Sequence, residues 1–108
     1  MNTTTRCTQG ITIVDVVGHI DLSSSPALRK TLLDSLKGTD RLAVNLVAVK
    51  YIDSSGIASL LEVLKEARKA NKRFILFDLT AAVSQVLQLT RLTGVFEIRA
   101  SETEVLSA

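Results

Sequence analysis

The spacing of apolar residues changes repeatedly along this 108-residue chain, and that change limits the fold more than any other feature. Residues 11–18, 42–47 and 73–78 are short runs rich in β-branched and apolar residues, as strands require. Between these runs, apolar residues recur at the three- and four-residue spacing of a helix. Because strands and helices alternate, we predict right-handed crossovers and a mostly parallel sheet in an α/β fold.

The flanking segments set the number of strands. Gln9-Gly10 predicts a hairpin turn that leads back to an edge strand at about residues 4–7. Residues 42–47 are apolar at nearly every position, which is typical of a central strand buried on both faces. A brief strand at residues 96–99 completes a mixed, mostly parallel sheet of four to five strands.

Two helices have clear signals in the sequence. Ser25 is a typical N-cap residue, Pro26 suits the first helical position, and Gly38 ends the helix that they begin. The clearest helix follows Gly56, with apolar residues on one face and charged residues such as Glu62 on the other. Both helices are long enough to cover the sheet.

The length of the chain suits a single domain. Weaker helical patterns at residues 82–94 and 103–106 bring the expected number of helices to about four. A single cysteine, Cys7, excludes an internal disulfide, and Cys7 with His19 supplies too few ligands for a zinc cluster. We therefore expect a protein of the reducing cytoplasm.

Membrane and nucleic-acid proteins are poor matches to this composition. The apolar run at residues 42–49 is interrupted by Asn45 and falls short of the ~20 residues that a bilayer span needs. The N-terminal residues lack the order of a signal peptide, so we expect no membrane insertion. A net charge of +2, with 3 Phe, 1 Tyr and no Trp, does not indicate direct binding of nucleic acid.

Polar residues collect where two of the expected parallel strands end. One group contains His19, Asp21 and the serines up to Ser25, and the other spans residues 51–57. Ligand and partner sites in open α/β sheets gather at the carboxyl ends of strands. These two loops are therefore the candidate functional region.

Several interpretations of these loops stay open on spacing alone. Asp53, Ser54 and Ser55 suit the N-terminus of a helix, where their side chains accept from free N–H groups. The same residues suit a kinase substrate or a phosphate-binding loop. A catalytic set of Ser54, His19 and Asp21, or a metal bound between Asp21 and Asp53, are further alternatives. Because no GxxxxGK[ST] frame is present, we expect no nucleotide cofactor, and we assign no metal ligand or catalytic residue.

The order of motifs along the chain resembles the STAS domain of bacterial anti-sigma factor antagonists. The motifs are Gly18-His19-Ile20-Asp21, the helix from Pro26, residues 42–46, Tyr51-Ile52-Asp53-Ser54-Ser55-Gly56-Ile57 and Leu92-Thr93-Gly94-Val95-Phe96. The resemblance covers nearly the whole chain. It implies one STAS domain over residues 1–108, with a core of about 8–106.

The resemblance also implies a function and assigns residues to it. It implies a protein that is not an enzyme but binds an anti-sigma factor, itself a serine kinase of the GHKL type, and thereby releases a sigma factor. In the family the phosphorylated serine directly follows the aspartate, which matches Ser54. Ser55 matches the adjacent hydroxyl residue, Asp21 matches an acidic residue near the acceptor, and a serine phosphatase completes the set of partners.

Because the acceptor has to enter the partner's active site, we expect neighbouring residues to form the interface. The candidates are Asp21, Ser23, Ser24, Asp53, Ser55 and Gly56, with Ser59 and Glu62 as outward positions of the second helix. Two alternatives remain. One is a non-catalytic STAS subunit or scaffold of a transporter or stress-signalling complex, and the other is a partner switch whose target is not a sigma factor.

Overall fold

A two-residue hairpin starts the sheet. Gln9 and Gly10 both have positive φ, 50° and 76°, which is the backbone that tight hairpins need to match the twist of their strands. Thr8 and Ile11 are paired on either side of this turn. The predicted hairpin is therefore confirmed, and its first strand extends further than the pattern suggested.

The computed structural model describes residues 1–107, whose strands form one sheet of five. The strands are β1 (Asn2–Thr8), β2 (Ile11–Ile20), β3 (Arg41–Ile52), β4 (Arg73–Phe77) and β5 (Glu97–Arg99), hydrogen-bonded in that order. β1 is antiparallel to β2, and the remaining pairs are parallel. The mixed, mostly parallel sheet predicted from the sequence is confirmed.

Helices cover the two faces of the sheet unequally. They are α1 (Ser25–Lys37), α2 (Ser54–Lys69), α3 (Ala81–Leu89) and α4 (Glu102–Ser107). The first three pack on one face and enclose the larger apolar core, while Val105 of α4 closes a smaller cluster on the other face. Leu42, Ala43 and Val44 are fully buried in succession, so β3 is covered on both faces as its sequence predicts.

Polar contacts fasten α4 to the sheet. The Arg6 guanidinium donates to Asp15 at 2.7 Å and also forms an ion pair with Glu102. Asn45 donates its amide to the second oxygen of Asp15 at 2.8 Å. Hydrogen bonds from Arg6 hold the pKa values of both Asp15 and Glu102 below their ordinary range.

Some element boundaries differ from the sequence pattern. β2 and β3 continue through Ile20 and Ile52, so residues assigned to loops belong to strands. α3 ends at Leu89 and does not continue toward Gly94. The reason is local, because Arg91 takes a left-handed conformation and the N–H of the following residue bonds back across the last turn.

None of the helices within residues 1–107 combines the length and apolarity needed to cross a bilayer.

Candidate functional site

The two polar segments lie side by side because their strands end together. Ile20 and Ile52 are register partners at the carboxyl ends of β2 and β3. The N–H of Asp53 donates to the carbonyl oxygen of Ile20 at 3.1 Å and extends this pairing by one step. Asp21 and Asp53 therefore leave the same edge of the sheet on neighbouring strands.

Asp53 is the N-cap of α2. Its Oδ1 accepts from the N–H groups of Ser55 and Gly56 at 2.9 and 3.2 Å, and it also accepts from the Ser55 hydroxyl. These bonds, the Ser55 hydroxyl first, hold the pKa of Asp53 below its ordinary range. The capping interpretation is correct for Asp53, whereas Ser54 and Ser55 are the first two residues of the helix.

Asp21 makes the same kind of turn one strand away. Its Oδ1 accepts from the N–H groups of Ser23 and Ser24 at 3.0 and 3.2 Å and from the Ser23 hydroxyl at 2.7 Å. The Ser23 hydroxyl is the largest cause of the lowered pKa of Asp21. Within residues 1–107, the hydrogen bonds of this carboxylate stay in its own loop and do not reach Ser54.

The start of α1 differs from the prediction by one residue. Ser24 occupies the N-cap position, and Ser25, expected there, is a buried first residue of the helix. The Ser24 hydroxyl does not cap α1. It accepts from the N–H of Asp21 at 2.9 Å and donates to the carbonyl oxygen of His19 at 3.0 Å, which closes the loop on itself.

Ser54 and Ser55 are adjacent in sequence but differ in accessibility. The Ser55 side chain is half-buried and its hydroxyl donates to Asp53. Ser54 is exposed, and none of the hydrogen bonds found within residues 1–107 uses its hydroxyl. Ser54 is therefore the more accessible member of the pair.

Gly56 is buried behind this pair. A Cβ added there would lie 2.6 Å from Cγ2 of Ile20 and 2.7 Å from Cγ1 of Ile52. The absence of a side chain lets the first turn of α2 approach the ends of β2 and β3. The structure shows a packing role for Gly56, which is buried.

Of the two residues expected to face outward on α2, Glu62 is exposed and Ser59 is buried. Glu62 is exposed and pairs with Arg29 of α1 at 3.2 Å. Ser59 is only 6% exposed, so its assignment as an outward residue is wrong. It lies where α2 packs against α1, and its hydroxyl donates to the carbonyl oxygen of Ser25 at 3.3 Å. A small polar side chain suits that contact because it fits between helices and has a backbone acceptor.

The structure does not assemble a catalytic set from His19. Its ring faces Tyr51 on the neighbouring strand, with ring centroids 6.0 Å apart. No hydrogen bond within the described chain joins the imidazole to Ser54 or Asp21. In the same part of the chain, no group of three or more His, Cys, Asp or Glu side chains has the arrangement of a metal site.

One residue at this edge was not selected from the sequence. Leu22 lies between Asp21 and Ser23, and its side chain is 77% exposed. The signal that could have found it is its position, since Leu22 follows Asp21 as Ser54 follows Asp53. An apolar side chain at the corresponding position of the first turn is therefore turned toward solvent.

Fold and site together define a small α/β domain that presents an accessible serine on a capped helix, beside a second turn of the same kind. A family model described as the STAS domain matches residues 2–105. The chain belongs to the STAS domain family.

Relatives and solved structures agree with this family. The chain is 28% identical over 91 residues to the anti-sigma-B factor antagonist of Listeria monocytogenes, covering 83% of this chain and 80% of that protein. Among solved structures, a Thermotoga maritima protein superposes with a TM-score of 0.90 at 20% identity, covering 97% of this chain and 92% of the other. Unphosphorylated SpoIIAA, an anti-sigma factor antagonist, gives a TM-score of 0.80 at 19% identity, covering 98% and 94%. At these identities the solved structures establish the fold.

Proposed function

We propose that this chain is an anti-sigma factor antagonist of a partner-switching pathway and that Ser54 is its phosphorylation site. The unphosphorylated form binds an anti-sigma factor with GHKL-type serine kinase activity and thereby releases the sigma factor. Phosphorylation of Ser54 ends that binding, and a serine phosphatase restores it. Membership of the STAS family and the likeness to relatives named anti-sigma-B factor antagonists support this role.

The observation that carries the proposal is the contrast between Ser54 and Ser55. A kinase needs a hydroxyl that is accessible and can be aligned with the transferred phosphoryl group. Ser54 meets this requirement because it is exposed, whereas the Ser55 hydroxyl is held by Asp53. We therefore assign the modification to Ser54 and a capping role to its neighbour.

A phosphate on Ser54 changes the surface more than the fold. It adds about −1.5 to −2 charge to a helix N-terminus, where the helix dipole favours anions. It also follows the Asp53 carboxylate in the chain, so two anionic groups adjoin at this surface. The free-energy cost of the phosphate therefore falls on the complex, because the partner's binding surface is shaped for a neutral hydroxyl. A mismatch of ~3 kcal/mol weakens binding by roughly 100-fold.

The interface that we propose surrounds this serine. It includes Asp21, Ser23 and Ser24 of the first turn, Asp53 and Ser55 of the second, and Glu62 further along α2. Of these side chains, Ser23 and Glu62 are exposed and the others are half-buried. Gly56 and Ser59 act from beneath this surface because both are buried.

We further propose that residues 1–108 form one STAS domain with a core of about 8–106. Its role is regulatory, without a catalytic residue or cofactor of its own. We infer a cytoplasmic location, because sigma factors act there.

The test begins with a pull-down from the native cell, using wild-type and Ser54→Ala chains as bait. The captured kinase is then purified and incubated with ATP and each chain, and the phosphate is located by mass spectrometry. We expect phosphate on Ser54 of wild type and of Ser55→Ala, the matched control, and none on Ser54→Ala. Phosphate mainly on Ser55 or Ser23 would overturn the assignment. A complex that survives phosphorylation unchanged would favour a permanent STAS subunit.

A further inference from the structure

Two turns with the same hydrogen-bond pattern stand next to each other at the site. In each, an aspartate Oδ1 accepts from the N–H groups two and three residues later and from the hydroxyl two residues later. The first turn is Asp21-Leu22-Ser23-Ser24 and the second is Asp53-Ser54-Ser55-Gly56. The second residue of each turn takes no part in this pattern, and its side chain is exposed.

The register of the sheet places the turns that carry Leu22 and Ser54 side by side. Ile20 and Ile52 are paired, and each turn begins one residue after its member of that pair. Neighbouring strands are separated by about 4.8 Å, so the two turns begin roughly one strand spacing apart. Both residues are exposed, and Leu22 is 77% exposed.

The turn around Leu22 is suited to burial against another protein. The N–H groups of Ser23 and Ser24 already have acceptors, as does the N–H of Asp21, which donates to the Ser24 hydroxyl. Covering this turn therefore leaves these three N–H groups with the acceptors that they already have. The same bonds hold the backbone in place, which lowers the ordering cost of binding.

We propose that Leu22 is an apolar anchor for the partner that phosphorylates Ser54, and that this partner carries an apolar recess beside its phosphoryl-transfer centre. This inference rests on the proposed function and adds a residue and a surface chemistry to it. Leu22 contributes affinity through burial and Ser54 contributes the reacting group. Leu22 is thus a binding residue, and its loss weakens docking without changing the chemical step.

The chain provides a matched control for this anchor. Leu89, the last residue of α3, is 84% exposed and lies on a different element from both turns. Leu22→Ala and Leu89→Ala remove the same atoms from comparably exposed positions. Neither replacement opens a cavity, so both variants should melt close to wild type.

The experiment measures the dissociation constant of each chain for the purified anti-sigma factor, and then the KM and kcat of phosphorylation. We expect Leu22→Ala to weaken binding and raise KM by about tenfold or more, as loss of a buried leucine surface would, with kcat unchanged. Leu22→Met, which keeps the apolar surface, should bind like wild type. Leu89→Ala should match wild type in every measurement.

Contrary results separate this inference from the proposed function. If Leu22→Ala binds within twofold of wild type while Ser54 is still phosphorylated, the anchor is overturned and the proposed function stands. If Leu22→Ala lowers kcat and leaves binding intact, the anchor is overturned as well. If wild type neither binds the anti-sigma factor nor is phosphorylated by it, both proposals fail.

Discussion

Arg6 of the first strand and Glu102 of the last helix form an ion pair across 96 positions of sequence. The same guanidinium also holds Asp15, so one side chain connects the edge strand, the sheet and α4. The contact is partly exposed, with 37% and 35% of the two side chains accessible. Its contribution to stability should therefore be smaller than that of the apolar cluster beneath it.

The attachment of α4 should depend on Val105 more than on Glu102. Val105 is fully buried against the sheet, so Val105→Ala should lower the free energy of unfolding by about 2 kcal/mol through lost burial and a small cavity. Glu102→Gln should lower it by less than about 1 kcal/mol. Urea unfolding of both variants measures the difference. Equal losses would mean that the ion pair, and not the apolar contact, fastens the helix.

Stability should fall at acid pH. Arg6 lowers the pKa values of Asp15 and Glu102, and turn hydrogen bonds lower those of Asp21 and Asp53. These carboxyl groups bind protons more readily in the unfolded chain, so their stabilisation is complete above the unfolded values, about pH 4–4.5. It is lost as pH falls through the lower folded values.

Urea midpoints at neutral pH, pH 5 and pH 3 measure this dependence. The midpoint should be nearly constant above about pH 5 and then decline. In Arg6→Met the decline should be shallower, because Asp15 and Glu102 lose the partner that lowers their pKa values. The same slope in both proteins would contradict the role given to Arg6.

Gly56→Ala should destabilise the fold through crowding. The added methyl group meets Ile20 and Ile52 at less than 3 Å, and overpacking of this kind costs about 1–3 kcal/mol. Gly94→Ala is the control, because a Cβ there meets nothing within 4 Å. Thermal melting compares the two variants. If Gly56→Ala melts like Gly94→Ala, the close approach of α2 is not required.

Asp21→Asn should separate the structural and binding roles of this carboxylate. Asparagine keeps an oxygen acceptor for the N–H groups of Ser23 and Ser24, so the melting temperature should stay within a few degrees of wild type. Removing the charge should weaken partner binding or slow phosphorylation by about tenfold, equivalent to about 1.4 kcal/mol.

Melting curves and binding measurements on the same preparation are needed for this comparison. A variant that binds and is phosphorylated like wild type would remove Asp21 from the interface. A variant that melts at a much lower temperature would show that the main role of Asp21 is to stabilise its turn.

The sequence predicted the layers of the fold better than the details of its edges. Alternating periodicity identified the strands and helices because burial on a sheet or a helix imposes a regular spacing. This periodicity missed the last residues of β2 and β3. His19 and Tyr51 are exposed, and they belong to strands because they are register partners in the sheet. The strand propensity of individual residues does not reveal such a pairing between distant segments.

Ser59 illustrates a second limit. Its polarity suggested an outward position, but the helix α1 passes close enough to bury it and offers a carbonyl oxygen at Ser25. The N-cap of α1 was missed by one residue for a related reason, because the serines there bond within the loop. The burial of Ser59 depends on a helix that is distant in sequence, and the N-cap depends on competing hydrogen bonds within the loop. Composition and spacing reveal neither.

A single residue, Asp53, separates the end of β3 from the start of α2. A serine in a long surface loop can move into the cleft of an enzyme because its backbone is free to change conformation. The serine that follows Asp53 lacks this freedom because it is fixed between a strand and a helix. An enzyme that modifies Ser54 therefore has to receive the whole folded domain, and its cleft has to be wide enough for the ends of two strands. Short unfolded peptides that carry the same residues should be poor substitutes for the intact protein.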